Sequence, residues 1–309
     1  MNDAAFGLST PNHPVLEVDA PRGARLPVVL ASPHSGRDYP ADFLAASRLD
    51  PHTLRKSEDG YVDEIFARAV QRGAPLIKAL FPRAYIDPNR EAFELDPEMF
   101  EDSLPAYVNT RSPRVAAGLG TIARVVAQGE DIYRRKLRFA EVLDRVERYY
   151  HPYHRHLKRL IDETRHRYGY CILVDCHSMP SAGGSAPADA SDQPIRATSA
   201  VERRRVDFVL GDCYGSACAG VVTDTAMSWL ESRGWAVSRN TPYAGGYTTR
   251  HYGRPRGGVH VLQIEINRAL YMDEPALRRL DYLGTLAEQM SGFVGALGAI
   301  DGRLLQPGM

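Results

Sequence analysis

The chain has no excess of charge of either sign: 38 Lys plus Arg stand against 38 Asp plus Glu in 309 residues, a formal net charge of zero with His neutral. A dedicated nucleic-acid binder carries far more positive charge than that, so this class is set aside. Long apolar runs are also missing; none reaches the about 18 residues of a membrane span. Met1 to Thr10 has no basic stretch leading into an apolar one, so no secretory leader is expected and the cytoplasm is the expected location. Cysteine is scarce. Cys171, Cys176, Cys213 and Cys218 form two C-x4-C pairs rather than the C-x2-C of zinc ribbons. In a cytosol-like chain of this length, buried free thiols are expected rather than disulfides. Neither Gly245-Gly246 nor Gly257-Gly258 leads into Gly-Lys-Ser/Thr, and no G-x-G-x-x-G follows a strand, which removes phosphate loops and dinucleotide fingerprints. No G-x-S-x-G elbow supports a serine hydrolase.

What is present is an ordinary globular composition, 44% hydrophobic and 25% charged, enough to bury a large core. Short apolar runs alternate with helical patterns, which predicts an α/β fold with a largely parallel sheet covered on both faces. Strands are expected over Pro27 to Ala31, Leu76 to Leu80, Cys171 to Val174 and Val259 to Ile266. In the last of these Val259, Val261, Gln263 and Glu265 face one way. Helices are expected over Asp63 to Arg72, ending at Gly73, over Thr223 to Arg233, and from Pro275 onward. Asp131 to Tyr168 carries a long amphipathic pattern that Pro152 should kink or divide. Residues 178 to 198, rich in Ser, Ala, Gly, Pro and Asp, read as a surface loop, either a lid or a plain connector. With no repeat and no linker, one domain is expected over residues 1–309.

Ligands of open α/β sheets bind beyond the carboxyl ends of the strands, and two of these strands run into histidines, His34 and His177. Two imidazoles and one carboxylate suffice for a catalytic zinc ion, although lone histidines also serve as loop hydrogen-bond partners. Ser57-Glu58-Asp59-Gly60 offers the carboxylate, or equally a helix cap. Glu265 sits in an apolar strand where an unpaired charge is costly, so it is either a salt-bridge partner or a general base. Arg83 and Arg90 flank a predicted turn at Pro88, and their planar forks suit a carboxylate or a developing oxyanion. His151, His154, His156 and His166 fall among interleaved acids and bases, where a solvated face is the expected setting.

Taken together, Pro33-His34-Ser35-Gly36, Ile86-Asp87-Pro88-Asn89-Arg90, Asp175-Cys176-His177-Ser178-Met179, Tyr243-Ala244-Gly245-Gly246-Tyr247-Thr248-Thr249 and Gln263-Ile264-Glu265-Ile266-Asn267-Arg268 resemble the N-formylglutamate amidohydrolase family. The likeness extends over nearly the whole chain, and more distantly to zinc carboxypeptidases and the aspartoacylase group. It implies a three-layer α/β/α fold of the phosphorylase/hydrolase type, a mixed and mostly parallel sheet, and one zinc ion. It further implies His34 and His177 as metal ligands, Glu265 as general base and Arg83 as the group that polarises the scissile carbonyl. Asn89 and Arg90 would hold a substrate carboxylate, with Tyr247 and Thr248 lining the substrate site. One position departs from the pattern. Where the zinc carboxypeptidase relatives carry a glutamate ligand three residues after the first histidine, this chain has Arg37. The third ligand is then expected from Asp59, with Glu58 as the alternative. The implied activity is hydrolysis of an N-acyl amino acid, most simply N-formyl-L-glutamate. The rivals are a zinc hydrolase of another N-acyl amino acid or of a peptide C-terminus, a protein of the same fold that binds without cleaving, and a nucleic-acid partner using the Arg-rich region from Arg134 to Arg167.

Overall fold

The computed structural model describes residues 14–126, 129–181 and 206–307. Its main sheet holds seven strands: β1 (Leu16–Asp19), β2 (Val28–Ser32), β3 (Leu76–Ala79), β4 (Cys171–Met179), β5 (Phe208–Gly211), β6 (Val237–Arg239) and β7 (Val259–Asn267). They lie in the order β1-β3-β2-β4-β7-β5-β6. Only β1 with β3 and β5 with β7 pair antiparallel, so the sheet is mixed and mostly parallel, as expected. A short hairpin of β8 (Met272–Asp273) and β9 (Arg278–Arg279) follows β7. The helices are α1 (Ala41–Ala46), α2 (Pro51–Arg55), α3 (Val62–Ala67), α4 (Pro113–Ala116), α5 (Phe139–Arg145), α6 (His151–Tyr168), α7 (Gly220–Glu231), α8 (Tyr247–Tyr252) and α9 (Leu283–Gly298).

The period-2 alternation of the central strands builds two cores. Val29, Ala31, Leu173 and Val261 meet Leu157, Leu160 and Ile161 of α6 and Phe43 of α1 on one face. Val28, Leu30, Ile172, Val174, Leu262 and Ile264 meet α3, α7 and α9 on the other. The result is the three-layer α/β/α arrangement. The four cysteines are free, and three of them are buried.

Three expectations are corrected, for the end of β4, the start of the amphipathic helix and the start of the last helix. β4 does not stop at Val174: it pairs with β7 residue for residue from Cys171 to Met179, which puts His177 inside the strand rather than past its end. The amphipathic pattern from Asp131 becomes helical only at Phe139, because the backbones of Asp131, Tyr133 and Leu137 are taken by isolated bridges to Val125, Ser47 and Phe100. The helical run is divided just ahead of Pro152. A π turn at Val146–Tyr150, closed by the His151 N–H on the Val146 carbonyl, precedes it and places the proline in the first turn of α6, where its missing N–H is tolerated. The last helix starts at Leu283, since the residues after Pro275 form β9 and Leu277 adopts a positive φ of 50°. The helix expected over 63–72 is α3 continued by a 3-10 turn, and Gly73 ends it at φ 114°. Residues 182–198 of the expected surface loop lie outside the described residues, while Ser178 and Met179 belong to β4.

Asp212, just past β5, anchors this end of the sheet. It is fully buried and accepts from Thr223 Oγ1 (2.8 Å), Arg239 Nη2 (2.6 Å), Asn240 Nδ2 (2.8 Å) and the Gly215 N–H (3.0 Å). Burial alone would raise its pKa, but these donors outweigh it and hold the carboxyl below its ordinary value. Asp212→Ala leaves an arginine and an amide without their partner, and should cost about 3 kcal/mol in chemical denaturation.

Candidate active site

The same alternation that builds the core builds the site. Cys171, Leu173, Asp175 and His177 share one face of β4, and the register sets Asp175 beside Gln263 and His177 beside Glu265 on β7. At the carboxyl ends of these strands, the face that is apolar below becomes polar. His34, two residues past the adjacent β2, joins them there. Asp59 arrives from the turn after α2, its backbone N–H bonded to the His34 carbonyl at 3.0 Å.

His34 Nδ1 and His177 Nδ1 both approach Asp59 Oδ2, at 3.3 and 3.0 Å. All three side chains are buried, and their ligating atoms lie within 4.8 Å of one another; among the described residues no other group of His, Cys, Asp and Glu does this. The outer ring nitrogens are backed by carboxylates, His34 Nε2 by Asp87 Oδ1 at 2.7 Å and His177 Nε2 by Asp175 Oδ1 at 3.2 Å. Arg268 Nη2 donates to Asp59 Oδ1 at 3.1 Å, so only the second oxygen of that carboxylate faces the histidines. Two imidazoles, one carboxylate oxygen, and a carboxylate behind each imidazole match the donor set and outer support of a zinc site.

The charges of the group are tightly coupled. Burial raises the Asp59 carboxyl, but hydrogen bonds from His177 and His34 outweigh it and hold the group well below the usual carboxylate range. Burial opposes charge on His177, yet Asp175 outweighs it and lifts the imidazole well above its ordinary value. Asp87 is held low, with burial overcome chiefly by the charge of Arg83, whose Nη2 donates to Asp87 Oδ2 at 2.7 Å.

A family model for N-formylglutamate amidohydrolase matches residues 26–272. The chain belongs to the N-formylglutamate amidohydrolase family. A solved N-formylglutamate amidohydrolase from Ralstonia eutropha JMP134 is 36% identical, with a TM-score of 0.80 over 90% of this chain and 95% of that one. N-formylglutamate deformylases from Pseudomonas putida and Pseudomonas aeruginosa are each 26% identical. The alignments cover 81% and 84% of this chain, and 83% and 87% of theirs.

Within this member of the N-formylglutamate amidohydrolase family, the sequence-derived candidates divide by position. His34, Asp59 and His177 come together. Glu58 does not join them, because its carboxylate accepts from Tyr39 (3.0 Å) and Arg55 (3.1 Å). Arg37 turns away to Asp63 and Glu64. Glu265 shares the sheet face of His177, steadied by Gln263 Nε2 at 3.0 Å. Arg83 is the partly exposed cation of the group. Arg90 is buried, donating to the carbonyls of Leu119 and Asn89. Both ends of the Asn89 amide are engaged: Nδ2 lies 3.0 Å from His177 Nε2 and 3.3 Å from Asp175 Oδ2, and Oδ1 accepts from the Thr248 N–H at 2.8 Å. Tyr247 opens α8 and is partly buried. Thr248 is buried, and its hydroxyl has no partner among the described residues.

Asp87, Asp175 and Arg268 lie inside the sequence motifs, where nothing local gives them a role; continuing β4 beyond Val174 is the signal that puts Asp175 on the face of His177. Gly246 has a steric reason. A Cβ there would sit 2.4 Å from Asn89 Nδ2. Gly246→Ala should therefore displace the Asn89 amide from Asp175 and Thr248, lowering kcat/KM at least about tenfold while the fold survives. Unchanged kinetics would show that Asn89 tolerates displacement.

Proposed function

We propose that this chain hydrolyses the amide bond of an N-acyl amino acid, N-formyl-L-glutamate giving formate and L-glutamate, with one zinc ion held by His34, Asp59 and His177. The observation that carries the reading is the convergence of these three side chains, each backed by a charged partner, beside Glu265 on one sheet face. The names of the similar proteins support the acyl group and the amino acid. Held by these three residues, zinc would supply a Lewis acid for the scissile carbonyl and would bring the pKa of a bound water down toward neutrality.

The side chains do the rest. Glu265 takes a proton from the attacking water and passes it to the departing nitrogen, so that the C–N bond breaks to an amine rather than to an unstable anion. Arg83 stabilises the oxyanion that develops on the carbonyl oxygen. Arg90 supplies the positive charge that holds a substrate carboxylate, and the Thr248 hydroxyl and the Tyr247 ring line that end of the site. Asn89 serves the same arm by holding the Thr248 backbone N–H and by donating to Asp175, the carboxylate behind the His177 ring. Positioning of this kind turns binding energy into orientation.

The test is formate release from N-formyl-L-glutamate by the zinc-supplied protein, with N-acetyl- and N-succinyl-L-glutamate in parallel. Equimolar formate and L-glutamate, with the larger acyl groups rejected, is the expected result. Turnover of the larger substrates alone would move the activity to another N-acyl amino acid, and no turnover of any would remove the enzymatic reading.

A further inference from the structure

The Asp87–Arg90 segment is irregular, buried backbone, and its carbonyls need donors. Three carbonyls in and beside it are satisfied from a single helical run. Arg145 Nη1, at the end of α5, donates to the Tyr85 carbonyl at 3.0 Å. Tyr150, last residue of the π turn, donates its hydroxyl to the Arg90 carbonyl at 2.8 Å. His154, one α-helical turn later, places Nε2 2.9 Å from the Pro88 carbonyl. A carbonyl only accepts, so that nitrogen carries the proton, and Nδ1 receives the Tyr252 hydroxyl at 2.8 Å. The expected solvated basic face is therefore wrong for His154. Its ring packs on Tyr150 (4.2 Å between centroids) with both nitrogens committed, and desolvation pushes its pKa down to about 3, keeping it neutral.

The π turn is what brings these residues into line. Five residues advance about 1.4 turns of an α-helix, so Arg145 and Tyr150 would otherwise point in different directions. The i to i+5 closure of a π turn restores them to one face, and His154 follows from Tyr150 at i+4. The side chains alternating with the clamped carbonyls are those of the site: Asp87 toward His34, and Asn89 toward His177 and Thr248.

We infer that Tyr150 and His154 are positioning residues, aimed by the π turn to fix the Asp87–Arg90 segment as the arm that meets the substrate carboxylate. The inference rests on the function proposed above. Neither residue needs to touch substrate; each acts through the backbone of Pro88 or Arg90.

The experiment compares Tyr150→Phe, His154→Phe and His154→Gln in the full-length, zinc-loaded protein. It reads kcat and KM for N-formyl-L-glutamate, calorimetric binding of L-glutamate, and bound zinc. Tyr150→Phe and His154→Phe should each raise KM about tenfold and weaken L-glutamate binding in parallel, with kcat changed less than about threefold and zinc retained. His154→Gln, which keeps an N–H for the Pro88 carbonyl, should recover most of the loss. In an Arg90→Ala background the Tyr150→Phe effect should shrink below about twofold, because the carbonyl that Tyr150 holds remains but the guanidinium it positions is gone. Full additivity with Arg90→Ala, or unchanged KM in an active protein, would overturn the positioning role and leave the function standing. A wild-type protein that neither releases formate nor binds L-glutamate would overturn the function, and this inference with it.

Discussion

Glu265→Gln should lower kcat for formate release by about 10³-fold while leaving zinc content and thermal stability unchanged. The substitution keeps shape and removes charge. Gln263 Nε2 donates to Glu265 Oε1 at 3.0 Å, and an amide oxygen still accepts that bond, though more weakly than a carboxylate. Packing is also preserved, since the residue is paired across the register with His177 on β4 and Val209 on β5. What an amide lacks is the capacity to take a proton from water and return it to nitrogen, and general acid–base catalysis of this kind contributes about 10²- to 10⁴-fold. Near-normal kcat in the variant would reassign proton transfer to another group. A loss of zinc as well as activity would show that Glu265 supports the metal site instead.

Asp59→Asn should have the second large effect, on metal rather than on chemistry. The side chain is the meeting point of the site: Oδ2 faces both histidines and Oδ1 accepts from Arg268. Removing its negative charge leaves the Arg268 guanidinium beside the rings with no carboxylate between, and a buried cation then opposes a second cation. Loss of outer-shell partners alone costs about 10- to 100-fold in metal affinity. Loss of a proposed ligand that also screens Arg268 should exceed that, as read by chelator competition. Zinc affinity within about threefold of wild type would contradict the ligand assignment. Glu58→Gln is the control, because Glu58 is occupied by Tyr39 and Arg55 and should leave zinc binding intact.

How legible each feature is in the sequence depends on the range of the interaction that decides it. The central strands announce themselves as apolar runs, and with them the three-layer class. The edge strands β1 and β6 are only partly buried and four and three residues long, too short and too exposed to leave a hydrophobic signature. β4 is longer than its apolar run because its polar end, Asp175 to Ser178, looks like a loop until the facing strand is known; nine-residue pairing with β7 overrides that local signal. His34, His177 and Glu265 stand out because polar residues beside buried runs are expensive unless they work. Asp59 can be named from sequence only against Glu58, since both sit in one acidic turn. The choice between them is made by where the turn after α2 aims each carboxylate. The set of donors from Arg145, Tyr150 and His154 is illegible: helical periodicity assumes 3.6 residues per turn, and the π turn that aligns Arg145 with Tyr150 violates it.

The most direct test of the proposed metal centre is elemental analysis of the purified, zinc-supplied protein beside a His34→Ala/His177→Ala variant. The predicted result is about one zinc per chain in the wild type, with none retained after gel filtration of a still-folded variant. No zinc in the wild type, or equal zinc in both proteins, would contradict a metal centre built on these two histidines.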